Sequence, residues 1–200
     1  GATVQIYYES RLARLNVNQA EIDTLNAQVD EIIEDEEDAG IRQKPKSQWT
    51  ALTRLVGAKP RLEQIAADLV NHFEKRTETA EGKGMIVCMS RDICVELYDA
   101  IVALRPEWHD PEYDQNPEYA LDQPPNPDRG TIRIVMTGSA ADPERLQRHL
   151  YNHDAKKRLE KRFKDPSDPL KLVIVRDMWL TGFDAPCCHT MYVDKPMKGH

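Results

Sequence analysis

Long apolar runs are missing from this sequence. None approaches the roughly 18 residues that a membrane-spanning helix needs, although 40% of the residues are hydrophobic. The stretch 3–8 carries no basic flank of the kind that precedes a secretory leader. Cysteine is scarce as well: the four cysteines include the adjacent pair Cys187 and Cys188 and form no disulfide framework. We therefore expect a protein of the reducing cytoplasm without a membrane partner.

Two familiar kinds of ligand site are also missing. No glycine-rich loop ending in Lys-Ser or Lys-Thr occurs, which excludes a self-contained P-loop nucleotide site. Cys187, Cys188 and His189 are contiguous and lack the two-residue spacing of zinc ligands. His149 and His153 stand four residues apart without a Glu-x-x-His motif. We expect no metal site in the chain.

Positive charge is in short supply, since 27 basic residues face 34 acidic ones and the net charge is −7. Proteins that bind phosphate backbones are usually basic, so this balance argues against nucleic acid as a partner. The excess is local, however, because 31–38 carries six acids in eight residues. The remainder is near neutral, and a nucleic-acid partner stays possible.

What the chain does contain is an alternation of short apolar runs and amphipathic patterns. The runs at 85–89 and 172–175 are typical of strands buried in a parallel sheet, and the runs at 131–136 and 191–193 predict two further strands. Apolar residues at three- and four-residue steps separate them and predict helices. This order predicts an α/β fold in which helices flank a parallel sheet, and 200 residues suit one such domain.

Two segments interrupt the alternation. Residues 15–76 hold an acidic helical pattern at 19–38, a polar break and a second pattern that opens at Pro60; proline is tolerated at the first turn of a helix. We interpret 15–76 as a small helical insertion packed beside the sheet. Residues 105–130 contain six of the thirteen prolines and predict a long irregular loop, a kind of segment that is often functional.

Polar residues follow three of the predicted strands. They are Ser-Arg at 90–91, Thr-Gly-Ser at 137–139 and Thr-Gly-Phe-Asp at 181–184. Right-handed crossovers place all three loops on one edge of a parallel sheet, which is the edge that binds ligands. Hydroxyls, glycine amides and an arginine suit contacts with phosphates.

The segments between these loops leave alternatives open. Asp142 is a good N-cap for a helix that carries Leu146 and Leu150. The basic run 156–164 is either the solvated face of a helix or a surface that tracks phosphates; its candidate contacts are Lys157, Arg158, Lys161 and Arg162. Trp179 is interpreted as a packing residue, with stacking on a base or on adenine as the alternative.

A resemblance to a known family rests on several of these stretches. Residues 176–200, with Thr-Gly-Phe-Asp-Ala-Pro and then Tyr-Val-Asp-Lys-Pro-Met-Lys-Gly-His, resemble motif V and the next strand in the motor subunit of type I restriction enzymes. That subunit belongs to the superfamily 2 helicases and translocases. The stretches 7–11, 85–91 and 135–139 agree in order and spacing. The resemblance covers nearly the whole chain and implies the second RecA-like domain of a two-domain motor.

The resemblance also implies roles for individual residues. Ser90, Arg91 and Thr137, with Gly138 beside the last, match positions that contact the DNA backbone. Thr181 matches a position that contacts the backbone or couples it to the nucleotide. Two further residues, Gly182 and Asp184, match positions that face ATP at the cleft between the two motor domains.

For the complete protein, the resemblance implies an ATP-dependent DNA translocase and type I site-specific deoxyribonuclease. ATP with Mg²⁺ is then the expected cofactor. Double-stranded DNA and the methyltransferase and specificity subunits are the expected partners. The phosphate loop, the metal-binding acid and the last motor motif, which supplies arginines, are absent from the 200 residues. We therefore expect a portion of a larger polypeptide that is inactive when isolated.

Two alternatives stay open at this point. The chain could be the second motor domain of another superfamily 2 protein, such as a remodeller or a repair helicase. It could also be a non-catalytic α/β module that binds DNA or another protein. A nuclease domain in the same reading frame favours the restriction enzyme over both.

Overall fold

A parallel sheet organises the computed structural model, which describes residues 7–9, 56–110 and 125–195. Its strands are β1 (Lys83–Cys88), β2 (Ile132–Val135), β3 (Leu172–Val175) and β4 (Cys188–Asp194). They lie in the order β2-β3-β1-β4, and every neighbouring pair is parallel. The predicted parallel α/β fold is confirmed, in the arrangement expected of a RecA-like domain.

Helices cover both faces of this sheet. They are α1 (Lys59–Thr79), α2 (Arg91–Leu104), α3 (Pro106–His109), α4 (Glu144–Gln147) and α5 (His153–Lys164). The long helices α1 and α2 pack against each other on one face, while α5 packs on the other. The described chain therefore has three layers with the sheet in the middle.

The two faces follow from the alternation of side chains along each strand. On β1, Ile86 and Cys88 point toward α1 and α2, and Met85 and Val87 point toward α5. Strands β1, β2 and β3 are buried along their whole length, as expected for parallel strands with helices on both sides. Buried members of the first core include Leu62, Leu69, Phe73, Ile93, Leu97, Ile101, Ile134 and Ile174.

The two predicted interruptions lie partly outside the described residues. The described end of the 15–76 segment is α1, which begins one residue before Pro60 and packs on α2. Within 105–130, the described ends contain the short helix α3 and a turn at 127–130. Residues 10–55 and 111–124 are outside the described ranges.

Two buried arginines, Arg133 of β2 and Arg162 of α5, bind the end of the 105–130 segment. Arg133 donates hydrogen bonds to the carbonyl oxygens of Asn126 at 2.8 Å and His109 at 2.9 Å. Gly130, with φ of 73°, closes this turn, because a Cβ there would lie 2.2 Å from the His109 carbonyl oxygen. Arg162 of α5 donates to the carbonyls of residues 127, 129 and 130. The loop is therefore held at this end by hydrogen bonds that a short sequence window does not reveal.

The helix predicted after Asp142 differs from expectation. Only 144–147 are helical, the N-cap is Pro143, and no side chain caps the helix. The Asp142 carboxylate instead binds Arg91, a residue distant in sequence. Within the described ranges, no helix is both long enough and apolar enough to cross a bilayer.

Candidate functional site

The carboxyl ends of β2, β3 and β1 are neighbours along one edge of the sheet. The chain leaves β1 into α2 on one face, and it leaves β3 into the 176–187 loop, which packs with α5 on the other face. Adjacent strands whose connections leave toward opposite faces open a crevice at their carboxyl ends, where α/β proteins bind ligands. By this rule, a ligand-binding crevice is expected between the carboxyl ends of β1 and β3.

A group of polar residues, here called the edge cluster, bridges the loops after β1 and β2. Its members are Ser90, Arg91, Thr137, Gly138, Ser139 and Asp142. The Arg91 guanidinium donates to both carboxylate oxygens of Asp142, at 2.6 and 2.9 Å, and to the Thr137 carbonyl oxygen at 3.2 Å. Since β3 lies between β1 and β2, Arg91 reaches across the end of β3 to make these contacts.

Asp142 is the centre of the edge cluster. Besides the two bonds from Arg91, its carboxylate accepts the backbone N–H of Ser139 at 2.7 Å. The hydrogen bond from Arg91 and that from the Ser139 backbone lower the pKa of Asp142. The carboxylate thus stays ionised and fixes both loops at once. Sequence reasoning read Asp142 as a helix cap and missed this role.

Two further members of the edge cluster are placed by local structure. Ser90 is the N-cap of α2, and its Oγ accepts the backbone N–H of Ile93 at 3.2 Å. No described residue is seen to accept the Ser90 hydroxyl proton, so this donor is available to a ligand. Gly138 leaves space for its neighbours, because a Cβ there would lie 2.6 Å from Asp142 Oδ2 and 2.6 Å from Leu150 side-chain carbons.

The third predicted loop has a different course. The 176–187 loop starts at the carboxyl end of β3 but must return to the start of β4, where Cys188 is paired with Lys83 at the opposite end of β1. It therefore descends over the α5 face instead of staying at the edge. Thr181, Gly182 and Asp184 are exposed, and no hydrogen bond joins them to the edge cluster among the described residues. The candidate residues thus form two groups rather than one.

Aromatic stacking holds this loop on α5. The Trp179 and Phe183 rings are parallel, with centroids 4.5 Å apart, and both lie against Phe163 of α5. The Lys164 ammonium sits 4.8 Å above the Phe183 ring. Trp179 has a φ of 65°, which is rare for a bulky residue. The interpretation of Trp179 as a packing residue is confirmed.

The polar residues of the loop, which lie next to Trp179 and Phe183 in sequence, are exposed to solvent. Gly182 has a φ of 68°, and a Cβ there would meet no atom within 4 Å. Glycine is therefore favoured here by the left-handed backbone conformation and not by crowding from neighbouring atoms. Asp184 has no hydrogen-bond or ion-pair partner within the described ranges. A carboxylate without a structural partner is available to a ligand.

The basic segment 156–164 forms most of α5, as predicted. Lys157 and Lys161 are exposed, and Arg158 is half-exposed and pairs with Asp128 at 2.8 Å. Arg162 corrects the sequence interpretation of a basic surface. It is 9% exposed and binds Asp168 together with the carbonyls of the 127–130 turn. Its charge serves the fold, and the candidate basic surface is reduced to Lys157, Arg158 and Lys161.

No group of three or more His, Cys, Asp or Glu side chains placed to hold a metal ion occurs among the described residues. Cys187 donates from its thiol toward the Phe163 carbonyl at 3.2 Å. His189 contacts its neighbour Thr190 through Nδ1 at 2.6 Å. The contiguous Cys-Cys-His stretch therefore serves local packing at the start of β4.

Comparison with known proteins gives consistent matches. Residues 136–200 match the family model for domain 3 of the type I restriction enzyme subunit R. The whole chain is 48% identical to the type I restriction enzyme HindI endonuclease subunit of Haemophilus influenzae over 200 residues. It is 35% identical over 201 residues to the putative type I restriction enzyme MjaIXP endonuclease subunit of Methanocaldococcus jannaschii.

The chain matches only a part of each relative. All of this chain is aligned in both cases, yet it spans 17% of either relative's length. A further putative endonuclease subunit from Methanocaldococcus jannaschii, MjaVIIP, is 29% identical over 178 residues. The matched region includes the edge cluster and the 176–187 loop. Over its whole length, the chain is therefore similar to about one sixth of the endonuclease subunits of type I restriction enzymes, and its part 136–200 to domain 3 of subunit R.

Proposed function

We propose that this chain is the part of an ATP-dependent DNA translocase and endonuclease subunit that carries helicase motifs IV to V. The 176–187 loop faces ATP, bound with Mg²⁺ mainly by the rest of the subunit. The edge cluster faces the backbone of double-stranded DNA. The observation that carries the proposal is the exposed Asp184, which no described residue engages, beside Thr181 and Gly182 on a loop anchored to α5.

The edge cluster supports contact with DNA phosphates rather than with bases. Ser90 offers a hydroxyl proton, and the Nε–H of Arg91 has no acceptor among the described residues. Such donors position a protein on the backbone without reading sequence. Lys157 and Lys161 on α5 are exposed and supply local positive charge, although the net charge of the chain is −7. Binding through these groups is expected to weaken as salt rises.

The relatives are named as endonuclease subunits of type I restriction enzymes. By analogy, we infer that the complete protein acts in the cytoplasm with methyltransferase and specificity subunits. Hydrolysis of ATP at the cleft between two motor domains would open and close that cleft and move DNA past the enzyme. DNA cleavage would then occur in a separate nuclease domain.

Replacement of Asp184 by alanine in the complete subunit tests the proposal. The DNA-dependent ATPase rate is expected to fall about a hundredfold, the usual effect of removing one group that acts on a developing charge. The melting temperature is expected to stay close to that of the wild type, because substitutions at exposed positions without partners change stability by about 0.5 kcal/mol or less. Translocation should be lost in parallel.

Asp154→Ala is the matched control, since Asp154 is an exposed acid on α5 outside both site groups. It should retain the wild-type ATPase rate. A D184A subunit that melts several degrees lower and keeps a normal rate per folded molecule would assign Asp184 to the ordering of its loop. A normal rate with normal stability would favour the alternative of a non-catalytic DNA-binding module.

A further inference from the structure

The pair formed by Arg91 and Asp142 raises a question of electrostatics. A negative charge at a surface that approaches phosphates should weaken DNA binding, and Asp142 neutralises the one arginine of the edge cluster. Its side chain is 12% exposed and that of Arg91 is 31% exposed. The carboxylate is therefore largely covered, while part of the guanidinium still faces solvent.

Three bonds on one carboxylate account for its position. Asp142 takes a bidentate pair of bonds from Arg91 and one from the Ser139 amide, while Arg91 also binds the Thr137 carbonyl. A planar guanidinium held on one side by two parallel bonds has a fixed direction for its remaining donors. The same carboxylate fixes the course of the 137–139 loop, where Gly138 admits it at close range.

We propose that Asp142 is a positioning residue for DNA-backbone binding: it aims the free edge of Arg91 and shapes the 137–139 loop so that both meet the same phosphate. The inference rests on the proposed function of the edge cluster. For the change in DNA affinity when the Asp142 charge is removed, it predicts the opposite sign to an argument from charge repulsion alone. Loss of the Asp142 charge should weaken DNA binding, whereas an unfavourable acid near phosphates predicts tighter binding when it is removed.

The test measures the binding of the complete subunit to a duplex of arbitrary sequence by fluorescence anisotropy, between about 50 and 200 mM salt. For Asp142→Asn, affinity is expected to fall about tenfold, the effect of losing one charge-assisted hydrogen bond. The dependence of log affinity on log salt should flatten by about one, because one phosphate contact is lost. A purely structural loss of folded protein lowers the active fraction but leaves this slope unchanged.

Asp92→Asn is the matched control. Asp92 lies next to Arg91 in the first turn of α2 and is paired with an arginine of its own, Arg145. It anchors neither of the two loops. D92N is expected to bind DNA as the wild type does, or slightly more tightly. If D142N shows the same affinity and salt slope as D92N, the positioning role of Asp142 is wrong.

Arg91→Ala separates this inference from the proposed function. R91A should weaken binding, and the double variant R91A/D142N should lose less affinity than the sum of the two single losses, because Asp142 acts in part through Arg91. Unchanged binding in R91A overturns the assignment of the edge cluster to DNA. Weakened binding in R91A with wild-type binding in D142N overturns only the role of Asp142.

Asp142→Glu provides a second variant in case D142N does not fold. Glutamate keeps the charge but moves the carboxylate outward by one methylene, so the ion pair is retained while its geometry changes. D142E is expected to weaken DNA binding in the same direction as D142N. Wild-type affinity in a folded D142E would show that charge alone matters and would contradict the proposal.

Discussion

His149 is a buried side chain, 1% exposed, whose two ring nitrogens have no hydrogen-bond partner among the described residues. Its ring packs edge-on against Tyr98 at 4.9 Å. Burial, followed by the charge of Arg148, lowers the pKa of His149 to about 3. Burial, followed by the charge of Arg133, lowers the pKa of the nearby His109 to about 4. Both rings are therefore neutral in the folded protein at pH 7.

These two histidines predict a loss of stability in mild acid. In the unfolded chain each takes up a proton near its ordinary pKa of about 6.5, whereas the folded protein resists protonation until the pH is far lower. The contribution of these two histidines to the pH dependence is therefore a free energy of unfolding that is constant above about pH 6.5 and decreases as the pH falls toward 4. The slope is about 1 kcal/mol per pH unit for each such group.

His149→Leu tests this at the residue scale. Removing a polar ring that makes no hydrogen bond should raise the free energy of unfolding by about 1 kcal/mol at neutral pH, measured by urea denaturation. The gain should increase toward pH 5, because the variant no longer has this proton uptake on unfolding. His153→Gln is the control, since His153 is exposed at the start of α5. Equal pH dependence in H149L and the wild type would contradict the assignment.

At the scale of elements, α5 has a buried face and an exposed basic face. Leu159, Arg162 and Phe163 point inward, where the aromatic ring supports the 176–187 loop and the guanidinium holds the 127–130 turn. Lys157 and Lys161 point outward, four residues apart on one face of the helix. A single helix thus links the predicted nucleotide loop with a predicted DNA surface.

Charge reversal of the outer face tests the DNA contact of α5. The double variant Lys157→Glu/Lys161→Glu in the complete subunit should bind duplex DNA at least about tenfold more weakly at low salt, with a salt slope reduced by about two if both lysines contact phosphates. Its helix should remain folded, because both side chains are exposed. Circular dichroism checks this.

The matched control for that variant reverses two lysines on the other face of the sheet, Lys59→Glu/Lys75→Glu. Both lie on α1 and are exposed. Long-range repulsion between the protein and DNA changes equally in the two variants, so the control measures that part of the effect. Equal losses of affinity in the two double variants would show that the outer face of α5 is a solvated surface without a specific DNA contact.

At the scale of the whole molecule, the described residues form one parallel sheet between two layers of helices. Strands β1, β2 and β3 are buried from end to end, and their carboxyl ends are neighbours at the edge cluster. No phosphate loop occurs in the 200 residues. In the proposed function, the groups that complete the ATP site therefore belong to the rest of the subunit.

The isolated 200-residue chain is accordingly predicted to hydrolyse no ATP, with or without DNA. In the proposed function, the groups that position the phosphates and the metal ion, and the arginines that stabilise the transition state, belong to the rest of the subunit. Phosphate release by the purified, folded chain is the measurement, with the complete subunit as the positive control. DNA-stimulated release above that of a heat-killed sample would contradict the prediction.

The sequence by itself determined the parallel α/β architecture, because local patterns carry it. Runs such as 172–175 are apolar throughout only when helices cover both faces of a strand. The i,i+4 spacing of Leu159 and Phe163 likewise predicted α5 and its buried face. The same pattern also indicates the burial of Arg162, because this residue is three positions from Leu159 and so lies on the inward face of the helix as well.

Only the tertiary structure decided which polar residues act together. Arg91 and Asp142 are far apart in the chain, and no local pattern predicts a pair that forms across the end of β3. The descent of the 176–187 loop away from the edge depends on the pairing of β4 with the start of β1. Secondary structure follows from neighbours in sequence, whereas contacts between loops follow from the order of strands in the sheet, which non-local packing selects.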